Sequence, residues 1–88
     1  MELEKIISDI INPMVVAKDT LMIKQMPGSN PNEIVMLVIG ESDDIARLIG
    51  RGGSVADSIR EVVSIQGKID GKRIKIKFES YNQEKEEL

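Results

Sequence analysis

The sequence contains no cysteine, no histidine and no tryptophan, and it has one phenylalanine and one tyrosine among 88 residues. Without Cys and His the chain lacks disulfides, thiolate nucleophiles, imidazole bases and the usual zinc ligands. Catalysis, a metal and a cofactor are therefore not expected: the carboxylates fall at the starts of anticipated helices and on solvent faces, and no nucleophile stands beside a base. So few aromatics also exclude ring stacking as the main means of recognition. No apolar run reaches the roughly 18 to 20 residues needed to cross a bilayer, and Glu2 and Glu4 sit where a secretory leader would be basic. No membrane association and a cytoplasmic location are expected.

Ile, Val, Leu and Met supply most of the 41% hydrophobic content, enough in a chain of this length for one core. A single domain over residues 1–80 and an acidic flexible tail over residues 81–88 are expected. The formal net charge of -3 opposes polyanion binding by the chain as a whole. The charge is unevenly placed, however: residues 1–46 hold three Lys/Arg and eight Asp/Glu, residues 47–81 hold eight and four, and residues 82–88 hold one and three. Eight cations less four anions leave the middle block at +4, so a positive face is available on an acidic chain.

Leu3, Ile6, Ile7, Ile10, Ile11, Met14 and Val15 recur at steps of three and four, the stripe of an amphipathic helix. Its regular part should end near Asn12, because Pro13 has no amide to donate. Residues 20–26 read as a strand, with Leu21 and Ile23 two apart, followed by the turn-forming run Pro27-Gly28-Ser29-Asn30-Pro31-Asn32. Residues 33–39 are rich in β-branched side chains and continuously apolar, and read as a second strand paired with the first in a hairpin. Either both faces of that strand are covered, or one serves a ligand groove or a partner. Ser42, with Asp43 and Asp44 behind it, reads as the cap of a short helix that Gly50 ends. Ser54 and Asp57 resemble a capping box for a second helix, with Val55, Ile59, Val62 and Val63 on one side, running to about residue 66 with Gly67 as its C-cap. Asp70-Gly71 is a turn, and residues 72–79 then alternate Ile74, Ile76 and Phe78 against Arg73, Lys75 and Lys77, a half-buried strand with a basic outer face. The expected class is α+β, in the order αββααβ, with a three-stranded sheet packed against helices.

Gly50-Arg51-Gly52-Gly53 is the segment that fold economy leaves unexplained, since one glycine suffices to join two helices. Three glycines around an arginine remove the Cβ atoms that would hold a phosphate away from the main chain, and they permit positive φ. The following helix points its unpaired N–H groups and positive dipole end at the same spot. Arg51 can add a bidentate fork to a phosphate oxygen.

The run Ile49-Gly50-Arg51-Gly52-Gly53-Ser54-Val55-Ala56-Asp57-Ser58-Ile59-Arg60 resembles the signature of KH domains: an apolar residue, a GXXG loop, then apolar residues at helical spacing. The order of elements resembles the type II (prokaryotic) KH fold. Together with the closing strand Gly71-Lys72-Arg73-Ile74-Lys75-Ile76, the chain resembles the small single-KH bacterial proteins of the KhpA family over roughly residues 3–79. The resemblance implies an RNA-binding protein, a post-transcriptional regulator or RNA chaperone, that holds about four nucleotides of single-stranded RNA across the loop. It implies that Gly50, Arg51, Gly52 and Gly53 meet the sugar–phosphate chain. Ile49, Val55 and one face of the 33–39 strand would form an apolar floor under the bases, with that strand's backbone reading base edges. Gly52 stands where many family loops carry a second, often basic side chain, which implies a weaker electrostatic grip and a more mobile loop. The resemblance also implies a homodimer and a heteromeric partner of the KhpB (Jag) type, and the continuously apolar second strand and the methionines are compatible with a self-association surface.

Other charges carry two readings each. Arg47 and Arg60 flank the loop on helices and either approach phosphates or stay solvated. Arg73, Lys75 and Lys77 form either a second basic track or the wet face of an edge strand. The acidic net charge favours an alternative to RNA binding, a KH-shaped protein–protein interaction module with little RNA affinity.

Overall fold

The computed structural model describes residues 3–81, and its elements follow the expected order αββααβ. Helix α1 (Leu3–Ile11) buries Leu3, Ile7 and Ile11, one residue per turn on a single face. It tightens into a 3₁₀ turn at Asn12–Met14, because Pro13 cannot donate to the preceding turn. A second 3₁₀ turn at Lys18–Thr20 delays the first strand. Both the amide and the hydroxyl of Thr20 donate to the Ala17 carbonyl (3.2 and 3.1 Å), so strand β1 spans Met22–Pro27 rather than beginning at Thr20.

β1 pairs antiparallel with β2 (Glu33–Gly40), and β2 pairs parallel with β3 (Arg73–Ser80), in the sheet order β1-β2-β3. A parallel pair requires a crossover, and helices α2 (Ser42–Ile49) and α3 (Ser54–Ile69) supply it. All three helices pack on one face of the sheet. Met36 and Val38 of β2 and Ile76 of β3 meet the α1 stripe, Ile45 and Leu48 of α2, and Ile59 and Val63 of α3 in a single aliphatic cluster. The alternate residues of each strand, Met22, Lys24 and Met26 against Val35, Leu37 and Ile39 against Lys75, Lys77 and Glu79, share the opposite face, which no helix covers.

α3 continues through Gly67 to Ile69, and Gly71 (φ 69°) takes the left-handed position beyond its end. Gly67 is glycine for another reason: it is buried, and a Cβ there would lie 2.8 Å from the Lys72 carbonyl oxygen and 3.0 Å from Ile74. Ser42 is the first residue inside α2, with Glu41 at the cap and no side-chain cap bond. Ser54 forms no capping box either, since Gly53 is the cap residue and the Asp57 carboxylate turns forward to Arg60 (3.2 Å). Tyr81, assigned above to the tail, is still part of the fold: its amide donates to Gly40 (3.0 Å) and its hydroxyl to the Thr20 carbonyl (2.7 Å). The rest of the expected tail, residues 82–88, lies outside the described residues.

Two carboxylates, Asp44 at the start of α2 and Glu33 at the start of β2, are buried. Asp44 accepts from the Val16 and Ala17 amides (2.9 Å each) and pairs with Arg47 (2.6 Å). These donors, the two amides first, hold its carboxyl below the ordinary value of 3.8. Glu33 accepts from the Ser29 amide (2.7 Å) and pairs with Lys75 (3.3 Å), which keeps its carboxyl below the ordinary value of 4.5. Asp44 thus pins the segment after α1 to α2, and Glu33 closes the β1–β2 loop.

Candidate nucleic-acid interface

α2 ends where Gly50 adopts φ 75° and ψ 175° while its amide completes the helix with a bond to Ala46 (2.9 Å). That backbone region is open only to glycine. A Cβ on Gly50 would stand 2.4 Å from Cγ2 of Val55, so Gly50 is also where the returning chain presses against the loop. Arg51–Gly53 then forms one 3₁₀ turn, closed by the Gly53 amide on the Gly50 carbonyl (3.1 Å), before α3 begins at Ser54.

Gly52 (φ 62°) and Gly53 (φ 81°) differ from Gly50. Both are left-handed, but a Cβ on either would meet nothing within 4 Å. Packing inside the domain does not require these two residues to be small. Their effect is to leave bare main chain on the surface, at the positive dipole end of a 16-residue helix, where the Gly53 amide is bonded to the Gly50 carbonyl and the Ser54 amide to the Arg51 carbonyl. The Arg51 side chain is exposed beside them and forms no ion pair or hydrogen bond among the described residues. Ile49 is an exposed apolar side chain at the end of α2, and Val55 is half-buried beneath the loop against the core. Gly50, Arg51, Gly52, Gly53, Ile49 and Val55 therefore form one contiguous surface.

The flanking arginines have other attachments. Arg47 is held by Asp44. Arg60 lays its guanidinium on β3, donating from Nε and Nη2 to the Ile76 carbonyl (3.3 and 3.2 Å), with its carbon centre 5.6 Å from the Phe78 ring centroid. It also pairs with Asp57. Arg51 is the one basic residue of the expected site whose charge is uncommitted among the described residues. The Arg60 contact with β3 is not legible in the sequence, because the i,i+3 spacing shows the Asp57 pair but not a strand sixteen residues away.

The structure overturns one feature of the expected groove. β2 is the central strand, paired on both edges, so its backbone groups are consumed by the sheet and cannot read base edges. Its helix-facing side is core, and its other side lies across the sheet from α2 and α3. Neither the floor nor the reading edge can therefore be assigned to it. β3, an edge strand packed beside α3, is the nearer candidate, and Arg60 already occupies one of its carbonyls.

Among the described residues no group of three or more His, Cys, Asp or Glu is placed to hold a metal ion, and no helix is long and apolar enough to cross a membrane. No curated protein matches the chain. A family model described as the KhpA/KhpB KH domain matches residues 4–78, which takes in α1 from its second residue, all of α2 and α3, the glycine loop and nearly all of the sheet. The αββααβ chain with its glycine turn between α2 and α3 thus belongs to the KhpA/KhpB KH-domain family, whose members are nucleic-acid-binding modules rather than enzymes.

Proposed function

We propose that this protein binds single-stranded RNA through the turn between α2 and α3, acting as a post-transcriptional regulator or RNA chaperone in the cytoplasm. The observation that carries the reading is the pair Gly52 and Gly53, whose left-handed backbone favours glycine and whose surroundings are open, so that the turn holds two bare main-chain residues facing solvent. Absent Cβ atoms let a sugar–phosphate chain approach the main chain, and the positive dipole end of α3 favours phosphate oxygens at the turn. Arg51 adds a charge-assisted contact. Gly50 sets the turn, while Ile49 and Val55 offer apolar surface beside it. Arg47 and Arg60 serve mainly to hold α2 and α3 in place.

Such a small grip, about four nucleotides wide, gains useful affinity by pairing with a second site. The surface best suited to pairing is on α3 rather than on the second strand or the methionines. Val62, Ile65 and Ile69 are 55%, 59% and 72% exposed and recur at steps of three and four, an apolar stripe with no partner inside the domain. Glu61 and Lys68 flank it, so two copies of α3 packed antiparallel about Ile65 would set Lys68 of each against Glu61 of the other. A homodimer formed this way would present two glycine turns. The same stripe would receive a heteromeric partner of the KhpB (Jag) type. It equally suits an interaction module with little RNA affinity, and salt dependence separates the two: a phosphate grip weakens steeply as salt rises.

Arg51→Asp combined with Gly52→Asp tests the reading. Aspartate tolerates the left-handed backbone at Gly52, so circular dichroism should show an intact fold. Affinity for single-stranded RNA should fall at least about 100-fold, as two carboxylates replace a cation and bare backbone. A folded double variant with unchanged affinity would remove the loop from the interface.

A further inference from the structure

The uncovered face of the sheet is a second candidate contact for RNA. Across the three strands its side chains form rows: Lys24, Leu37 and Lys77 lie side by side, as do Met26, Val35 and Lys75, and Met22, Ile39 and Glu79. A central strip of Val35, Leu37 and Ile39 is thus bordered by lysines on both neighbouring strands. Lys24 and Lys77 form no ion pair among the described residues. They rise from strands two spacings apart, about 10 Å, close enough to repel at ordinary ionic strength. The carboxylate at the other end of the face, Glu33, is already neutralised by Lys75 and the Ser29 amide. Below these rows Met26, Ser29, Glu33, Val35, Lys75 and Lys77 line a shallow hollow.

We propose that this face is a second RNA-contacting surface, in which Lys24 of β1 and Lys77 of β3 bind phosphates while Leu37, Ile39 and the methionines lie against the bases. Charge complementarity selects the occupant. The face carries Lys24, Arg73, Lys75 and Lys77 against Glu33 and Glu79, a balance of +2 on a chain whose total is -3. Outside this face, residues 3–81 hold seven Lys/Arg and nine Asp/Glu, so the rest of the described domain carries no comparable surplus. No aromatic ring lies in these rows, so the contact is to phosphate and tolerant of sequence. Because α2 and α3 cover the opposite face of the sheet, one domain then engages RNA on two sides. It would hold either a strand long enough to pass over the sheet edge or two separate segments.

The test compares single-stranded RNAs of about four and about twenty nucleotides, the shorter matching the span of the loop alone. In Lys24→Met with Lys77→Met the aliphatic stems stay and the charges go, so the fold is retained and checked by circular dichroism. The longer RNA should bind about 10-fold more weakly, and its slope of log affinity against log salt should shrink by about 1.4, two phosphates at roughly 0.7 each. The shorter RNA should bind as before. Unchanged affinity and slope for the longer RNA would overturn the proposal, as would an equal loss for the shorter one. Lys24→Glu with Lys77→Glu, tested beside a polyglutamate competitor, separates an acidic-peptide site. Competition by the peptide at wild-type lysines, without any loss of long-RNA binding in the glutamate variant, would also overturn it. The Arg51→Asp, Gly52→Asp protein tells this surface from the loop: it should keep weak, salt-sensitive binding of the longer RNA. If the loop variant bound normally, the loop reading would fail while the lysine result still decided the present one.

Discussion

At the scale of single residues, the glycines divide by what their missing side chains spare. Gly50 and Gly67 avoid collisions within the domain, whereas Gly52 and Gly53 avoid only the strain of a left-handed backbone and would collide with nothing. Gly67→Ala makes the distinction measurable. In an exposed helix interior this change stabilises by about 1 kcal/mol, but here the new Cβ meets the Lys72 carbonyl, whose chain is tied to Gly67 by the 2.8 Å bond from the Lys72 amide. Overpacking of this kind costs about 1 to 3 kcal/mol, so the net effect should be destabilising and lower Tm by roughly 4 to 8 °C per kcal/mol. A gain in Tm would show that β3 yields freely. The sequence alone could not separate these cases. Gly67 falls where a helix of ordinary length would end, and only the approach of Lys72 and Ile74 shows that the helix runs past it.

At the scale of elements, helix stripes and strand alternation were legible because each follows the period of its own backbone: Leu3, Ile7 and Ile11 on α1, and Ile74, Ile76 and Phe78 on β3. The continuous apolar run of β2 was ambiguous on those grounds. One side is core; the other faces away from the helices, yet Val35 is buried there between the neighbouring positions Met26 and Lys75. Capping serines were misread because Ser42 and Ser54 fall one residue inside their helices. Asp44, read as a dipole residue, is a tertiary link between α2 and the chain after α1, and no short-range pattern reveals amides 27 and 28 residues away. Its lowered pKa fixes the sign of a pH effect. A depressed carboxyl contributes stability that is fully present above its ordinary value of 3.8 and is lost as pH falls through the lower folded-state value. Urea unfolding should therefore show wild-type stability declining below about pH 5. Asp44→Asn should be less stable at neutral pH with a shallower acid decline, and an unaltered acid limb would contradict the link.

At the scale of the whole molecule, the sheet separates three surfaces: a glycine turn with one uncommitted arginine, an apolar stripe along α3, and a lysine-bordered face opposite the helices. Net charge obscured this arrangement, since the -3 total sums cations that are grouped with acidic residues that are spread or internally paired. If α3 joins two copies, Ile65→Asp should weaken self-association at least about 30-fold, equivalent to ~2 kcal/mol for a central apolar contact. Analytical ultracentrifugation reads this directly, and a dimer that persisted unchanged would place the interface elsewhere. Loss of the dimer should weaken long-RNA binding through avidity while leaving the binding of about four nucleotides intact.

The claim beneath the functional reading is that exposed main chain between α2 and α3 touches the nucleic acid. Amide chemical-shift mapping during titration with a short single-stranded RNA tests it most directly. The amides of Arg51, Gly52, Gly53 and Ser54 should move first and furthest, at low salt and in proportion to occupancy. RNA binding that left those four resonances in place would contradict the account.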